Sequence, residues 1–479
     1  MPGHRTSTNA RRRGLLVVGA WVAFAALAAG SFATGALVAN AQPPAVADAL
    51  AISSPAPSTP VSTVPVPTRR PQPTAAAAPE AVRTCSVGSL AAASGMGTFQ
   101  GTVRKADTGE ILFDRNGSTY SRTASVMKVL TSAAALAVLG PDYRVQTSVV
   151  AGDTPGTVVL VGGGDVTLAS GSSNIYHEAS TMGQLADQVK AAWAADPAHA
   201  GVPISTIVLD SSLFGGDPWQ SSWDRVEQTD GSTAEITALM VDGDRANPSA
   251  DTSPRSADPV SRAGQAFQSA LGSIASGAKL VGGVASPGAV SLGAVRSAPV
   301  STMVQEALLR SDNTEAEMLA RLTAIKLGAG NTFASLQAAI PKALASSYGL
   351  DTSNLVIVDG SGLSNDDAVS ALFLTALFDK INAREANLGV ILDGLPVADQ
   401  TGTLSYRFTG ANSVVNGKVQ AKTGSIDTAN TLAGVVHAAD GSTLTFAFFS
   451  LDSSIDGGRA ALDALTVGIY TCGDALSNG

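Results

Sequence analysis

The chain has 479 residues, 45% hydrophobic and 14% charged, enough for the cores of two or three domains and too apolar for a disordered chain. Seven of its 30 basic and two of its 39 acidic residues lie in residues 1–83, leaving 23 against 37, a net charge of −14, in residues 84–479. A body that acidic excludes nucleic acid as a partner, because such binding draws on clustered positive charge.

Arg11, Arg12 and Arg13 precede an uncharged, largely apolar run from Gly14 to Ala41. A basic cluster followed by an apolar stretch is a membrane-targeting pattern, and Gly14 to Val38 is long enough to span a bilayer. Ala39-Asn40-Ala41 offers small residues for cleavage. Residues 1–41 therefore read as a signal or a membrane anchor, with the anchor preferred, and either one exports everything downstream. Residues 42–83, rich in Pro, Ala, Ser and Thr, cannot bury enough apolar surface to fold and read as an extended linker. Two cysteines follow, Cys85 just after the linker and Cys472 near the far end. They read as a disulfide fastening the two ends of the globular part, in keeping with an oxidising compartment.

Residues 99–104 and 110–115 read as a strand hairpin. Thr123-Ala124-Ser125-Val126-Met127-Lys128 then leads into an apolar helical run, Val129 to Leu139. Ser and Lys three apart share one helix face. At a helix start, free N–H groups and the positive dipole end support a developing oxyanion, and a lysine kept neutral there can take the serine proton. Ser276 and Lys279 repeat the spacing, but where a helix running from Ser261 ends, near Gly277; carbonyls there oppose an oxyanion, so that pair is set aside. Ser172-Ser173-Asn174, in a Gly/Ser loop without flanking helices, is a second decoy. Ser311-Asp312-Asn313 falls between two helical stretches, Val300 to Arg310 and Glu315 to Leu327, where a hydroxyl and an amide can face a cleft. Lys422-Thr423-Gly424-Ser425 sits on a strand from Lys418. Thr431 to Ala438 and Ser442 to Ser450 follow as an apolar hairpin turning at Asp440-Gly441, and Gly457 to Tyr470 reads as a closing helix. Each motif alone has a plain structural explanation: a capping serine, a capped helix start, an exposed strand lysine.

The four histidines, His4, His177, His199 and His437, show no nucleophile-elbow context and no paired metal-ligand spacing. A hydrolase here needs another base, and lysine is the candidate.

In order, Ser-x-x-Lys, Ser-Asp-Asn and Lys-Thr-Gly are the signature of the penicillin-recognising serine enzymes. Ser125 and Ser311 stand 186 positions apart, which calls for a domain-sized insertion. The chain resembles the low-molecular-weight class C penicillin-binding proteins, the D-alanyl-D-alanine carboxypeptidase and endopeptidase family, over roughly residues 85–475. Gly162 to Leu168, Ala238 to Asp242 and Asp359 to Ser364 also look like that family, with Val166 where it usually has proline.

The resemblance implies an α+β fold: a catalytic domain of antiparallel sheet flanked by helices, in parts 84–144 and 293–479, interrupted by an inserted domain at 145–292. It implies that Ser125 attacks the carbonyl between two terminal D-alanines of peptidoglycan stem peptides and forms an acyl-enzyme, outside the cytoplasm in the cell wall or periplasmic space. Lys128 is then the base, and Ser311 relays a proton to the leaving group. Asn313 holds the peptide amide, and Lys422 and Thr423 bind the terminal carboxylate. Gly424 lets the ligand approach, and the N–H groups of Ser125 and Ser425 form the oxyanion hole. Lys422 should stay charged and help to keep Lys128 neutral. Beta-lactams become covalent inhibitors, and no metal or other cofactor is required. The alternatives are a beta-lactamase and a non-catalytic beta-lactam or wall-peptide binding protein.

Overall fold

A computed structural model describes residues 83–199 and 201–478; the expected signal or anchor at 1–41 and nearly all of the linker lie outside them. Among the described residues, no helix is long and apolar enough to cross a membrane.

The hairpin forms as β1 (Thr98–Lys105) and β2 (Ile111–Arg115). A single 3-10 turn at Ala124–Val126 then opens α1 (Met127–Val138). Every α1 residue from Met127 to Leu136 is buried, as expected of a helix apolar all round. The chain next leaves for the insertion: β3 (Gln146–Ala151), β4 (Thr157–Val161), α2 (Met182–Ala195), β5 (Thr206–Asp210), α3 (Pro259–Leu271), β6 (Lys279–Gly282) and β7 (Ser291–Arg296). It returns through α4 (Val300–Arg310), α5 (Asn313–Lys326), α6 (Leu336–Tyr348) and α7 (Ala371–Asn382). Finally β8 (Val419–Ile426), β9 (Ala429–His437), β10 (Thr443–Leu451) and α8 (Ile455–Cys472) complete the sheet and cover it.

The catalytic sheet is antiparallel throughout, in the order β8-β9-β10-β1-β2. Residues 429–436 of β9 are buried without a break. Ala433 and Val435 face the helices of the α1 side, while Leu432 and Val436 face α8. Helices on both faces give the α+β architecture. On the outer edge, Cys85 and Cys472 are disulfide-bonded with Cα atoms 5.4 Å apart. Beside the bridge, Cys85–Ser86 runs parallel to Leu476–Ser477.

The inserted sheet is mixed, in the order β6-β5-β4-β3-β7, with β4, β5 and β6 parallel and β3 antiparallel to both of its neighbours. It has its own apolar core, to which Phe267 of α3, Trp193 of α2, and Val158 and Leu160 of β4 belong. The sheet runs past the expected boundary at 292, because β7 extends to Arg296 and Ser297 pairs with Val145 through both backbone and side chain. A further stretch, including Phe214, Trp219, Trp223, Ile236 and Met240, packs into the core of the catalytic helices. The α3 helix is started by Asp258 and Pro259 and stops at Leu271, six residues short of Gly277. Gly272, at φ 69°, takes the chain out of it. Ser276 and Lys279 lie beyond that end, on an exposed turn and the edge strand β6. Asn174 of the other decoy is spent on Thr167 O and Asp242 Oδ1.

Candidate active site

The turn that presents Ser125 is wedged in place. Ala124 sits at φ 46°, a conformation that costs a non-glycine residue energy. A Cβ at Gly362 would lie 1.9 Å from the Ala124 carbonyl oxygen. Ser125 thus stands at the mouth of α1 with Lys128 one turn below it. Lys128 is fully buried and donates to Ser125 Oγ at 2.8 Å, Asn313 Oδ1 at 2.6 Å and the Ser361 carbonyl at 2.8 Å. Burial lowers its pKa to about 8, against the pull of Asp359, Glu317, Asp312 and Asp367.

The second motif sits on a tight connection. Ser311, at φ 62°, ends α4, and the Asp312 side chain caps α5 by accepting from Glu315 N–H at 3.1 Å. The helix therefore begins at Asn313, two residues before the expected start. Ser311 Oγ accepts from Lys422 Nζ at 2.8 Å, whereas no hydrogen bond joins it to Lys128. Asn313 is held at both ends, by Lys128 on Oδ1 and by donation from Nδ2 to the Ser232 carbonyl at 3.1 Å. To hold a peptide amide, as the resemblance implies, Nδ2 must exchange that carbonyl for the peptide.

Lys422, Thr423, Gly424 and Ser425 all lie within β8, paired in register with Ala433, Leu432, Thr431 and Asn430 of β9. A Cβ on Gly424 would meet Thr431 Oγ1 at 2.2 Å and Ser125 N at 2.9 Å, so only glycine lets the strand pass so close to the nucleophile. Thr423 Oγ1 contacts Thr403 Oγ1 at 2.8 Å. Lys422 is fully buried, and its second hydrogen bond goes to the Thr423 carbonyl at 2.7 Å. Burial, then the charge of Lys128, pushes its pKa well below the usual lysine value. Burial is the main cause at both lysines, and the charge of Lys128 adds to it at Lys422, opposite in direction to the expectation that Lys422 keeps its charge.

Tyr176, Arg245, Arg255 and Glu317 contribute but were not singled out from the sequence. Asp312 Oδ2 accepts from Arg245 Nη2 at 2.6 Å and from the Tyr176 hydroxyl at 3.0 Å, both reaching in from the insertion. Burial pushes Asp312 up, but Arg245 and Arg255 outweigh it and hold the carboxyl well below the usual range. Under Lys128, Glu317 accepts from the N–H groups of Gly360 and Ser361, and Asp359 from those of Ser361, Gly362 and Ser364. Those bonds set the loop whose Ser361 carbonyl meets Lys128. Burial, with Asp359 nearby, pushes Glu317 up to about 8. Ser125, Ser311, Thr423, Gly424 and Ser425 open onto one cleft of about 290 Å³, also lined by Thr403, Tyr406, Arg407 and Arg459.

Comparison with known proteins shows the family of the chain. Residues 86–254 and 246–467 match the D-Ala-D-Ala carboxypeptidase 3 (S13) family. The chain is 36% identical over 471 residues to carboxypeptidase DacB of Mycolicibacterium smegmatis, covering 96% of this chain and 95% of that one. To carboxypeptidase Rv3627c of Mycobacterium tuberculosis it is 34% identical over 408 residues, covering 84% and 86%. Penicillin binding protein 4 (dacB) from Haemophilus influenzae shares the fold, with a TM-score of 0.68 at 20% identity over 80% of this chain and 98% of that one.

Proposed function

The chain belongs to the D-Ala-D-Ala carboxypeptidase 3 (S13) family of serine peptidases, and from that premise we propose that Ser125 is its nucleophile, working on peptidoglycan stem peptides outside the cytoplasm. The observation that carries this reading is the Lys128–Ser125 hydrogen bond of 2.8 Å in a cleft shared with the other two motifs.

In its neutral form Lys128 takes the Ser125 proton as Oγ adds to the carbonyl carbon between the last two D-alanines. The N–H groups of Ser125 and Ser425 receive the oxyanion, an interaction commonly worth about 3 kcal/mol per donor. Gly424 keeps the two close. As the C–N bond breaks, the leaving nitrogen receives the proton that Lys128 took from Ser125, by way of the Ser311 hydroxyl; for that relay Lys128 must move within reach of Ser311 Oγ, which accepts from Lys422 in this structure. Lys422, donating to Ser311 Oγ, keeps that hydroxyl oriented. Water then gives a proton to Lys128 and attacks the acyl carbon, and Ser125 Oγ leaves with that proton. The products are D-alanine and the shortened peptide. A beta-lactam enters the same first step and stays on Ser125. The Cys85–Cys472 bridge supports an oxidising location, and the basic-apolar segment at 1–41 supports export to the wall or a membrane anchor.

Intact mass after incubation with penicillin tests the reading. One added penicillin is expected on the wild-type chain and none on Ser125→Ala, with D-alanine release lost in that variant. Consumption of penicillin without an adduct would instead mark a beta-lactamase.

A further inference from the structure

We infer that Arg459, in the early turns of α8, is the specificity-determining residue that captures the terminal carboxylate of the D-alanyl-D-alanine peptide, with Thr423 supplying a hydrogen bond beside it. The assignment deepens the proposed function and rests on it. A carboxylate entering the cleft needs a positive partner, and four cations lie at or near the site. Lys128 and Lys422 are fully buried and line none of the cleft; their hydrogens are directed to Ser125, Asn313, Ser361, Ser311 and Thr423. Lys422, the residue the motif alone would choose, is moreover pushed toward its neutral form by burial and by Lys128. Arg407 does line the cleft, but its guanidinium is clamped on Asp463 at 2.5 Å, with both side chains only 12% exposed. Its charge is already matched.

Arg459 lines the same cleft and is exposed. Among the described residues, its side chain makes no hydrogen bond or ion pair, and its charge acts on Asp463 behind that of Arg407. Its backbone is anchored, because Arg407 Nη2 donates to the Arg459 carbonyl at 3.4 Å. The result is a guanidinium without a hydrogen-bonded partner, on a fixed stem, in the lining of the cleft onto which Ser125 and Thr423 open. A planar fork of donors suits a carboxylate. Its exposure makes the contribution one of capture and selection, sensitive to salt.

Two peptides test the assignment: diacetyl-L-lysyl-D-alanyl-D-alanine and the same peptide ending in a carboxamide. For the wild type, kcat/KM should favour the free acid. In Arg459→Gln the acid-to-amide ratio of kcat/KM should fall about tenfold, with the loss in KM for the acid, and Arg459→Lys should recover part of it. Because the side chain is exposed and unbonded, the variant should melt with the wild type. An unchanged ratio in an active variant, including an equal loss on both peptides, overturns the assignment alone. A wild-type protein that releases neither D-alanine from the acid nor D-alaninamide from the amide overturns both it and the proposed function.

Discussion

One wall of the cleft, carrying Ser311, Asp312 and Asn313, is held by side chains: Arg245 and Tyr176 on Asp312, Lys128 on Asn313, Lys422 on Ser311. The other, carrying Lys422 to Ser425, is held by a backbone ladder to β9 and has room for no Cβ at Gly424. The first wall is therefore vulnerable to the removal of atoms and the second to their addition. The partners of the first wall also come from afar. Arg245 is 67 positions from Asp312, so the segment between the first two motifs buttresses this wall of the cleft.

Truncation on the first wall should have the largest effect. Arg245→Met leaves a buried carboxylate without its cation and should cost about 3–5 kcal/mol, read from urea unfolding, together with most of the acylation rate. Tyr176→Phe, which spares the ion pair, should cost about 1 kcal/mol. Equal losses in the two variants would break the comparison. On the second wall, Gly424→Ala should cost about 1–3 kcal/mol of unfolding free energy through overpacking and slow penicillin acylation about 100-fold, the size of one spoiled oxyanion donor. Wild-type acylation in that variant would mean the strand can retreat from Ser125.

Reduction of Cys85–Cys472 should lower stability by about 2–4 kcal/mol. The bridge anchors the helix that backs the strand wall, so amide exchange should quicken around α8 before it does around Asp312. Equal melting temperatures with and without reductant would count against this. The mildest effect is one of pH. Lys128 must be neutral to act as a base, and its pKa is lowered to about 8. Acylation kcat/KM should thus rise about tenfold per unit up to roughly pH 8 and then level off. A profile already flat at pH 6.5 would point to a lower-lying base.

Much of the site was legible in the sequence because each motif carries its own local setting. The apolar run after Lys128 marks a helix, the stretches around Ser311 mark a connection, and the alternation after Lys418 marks a strand with its hairpin. Both decoys failed on local context, and both lie outside the site. Pairings set by tertiary packing were not legible. Nothing near Arg245 signals Asp312, and nothing near Arg459 signals a cleft opened by β8. The lowered pKa expected of Lys128 agrees with its burial, whereas the expectation that Lys422 stays charged runs against the direction that its burial gives. Both directions follow from burial on every side, which a residue's own segment does not reveal.

The bridge between Cys85 and Cys472, with the short parallel pairing beside it, has a consequence for rewiring the chain. Positions 387 apart in sequence lie side by side, so the fold is nearly a closed ring. A short peptide joining the neighbourhoods of Ser86 and Leu476, with new ends opened at the exposed turn around Gly201, would give a circular permutant in which the two catalytic segments run consecutively.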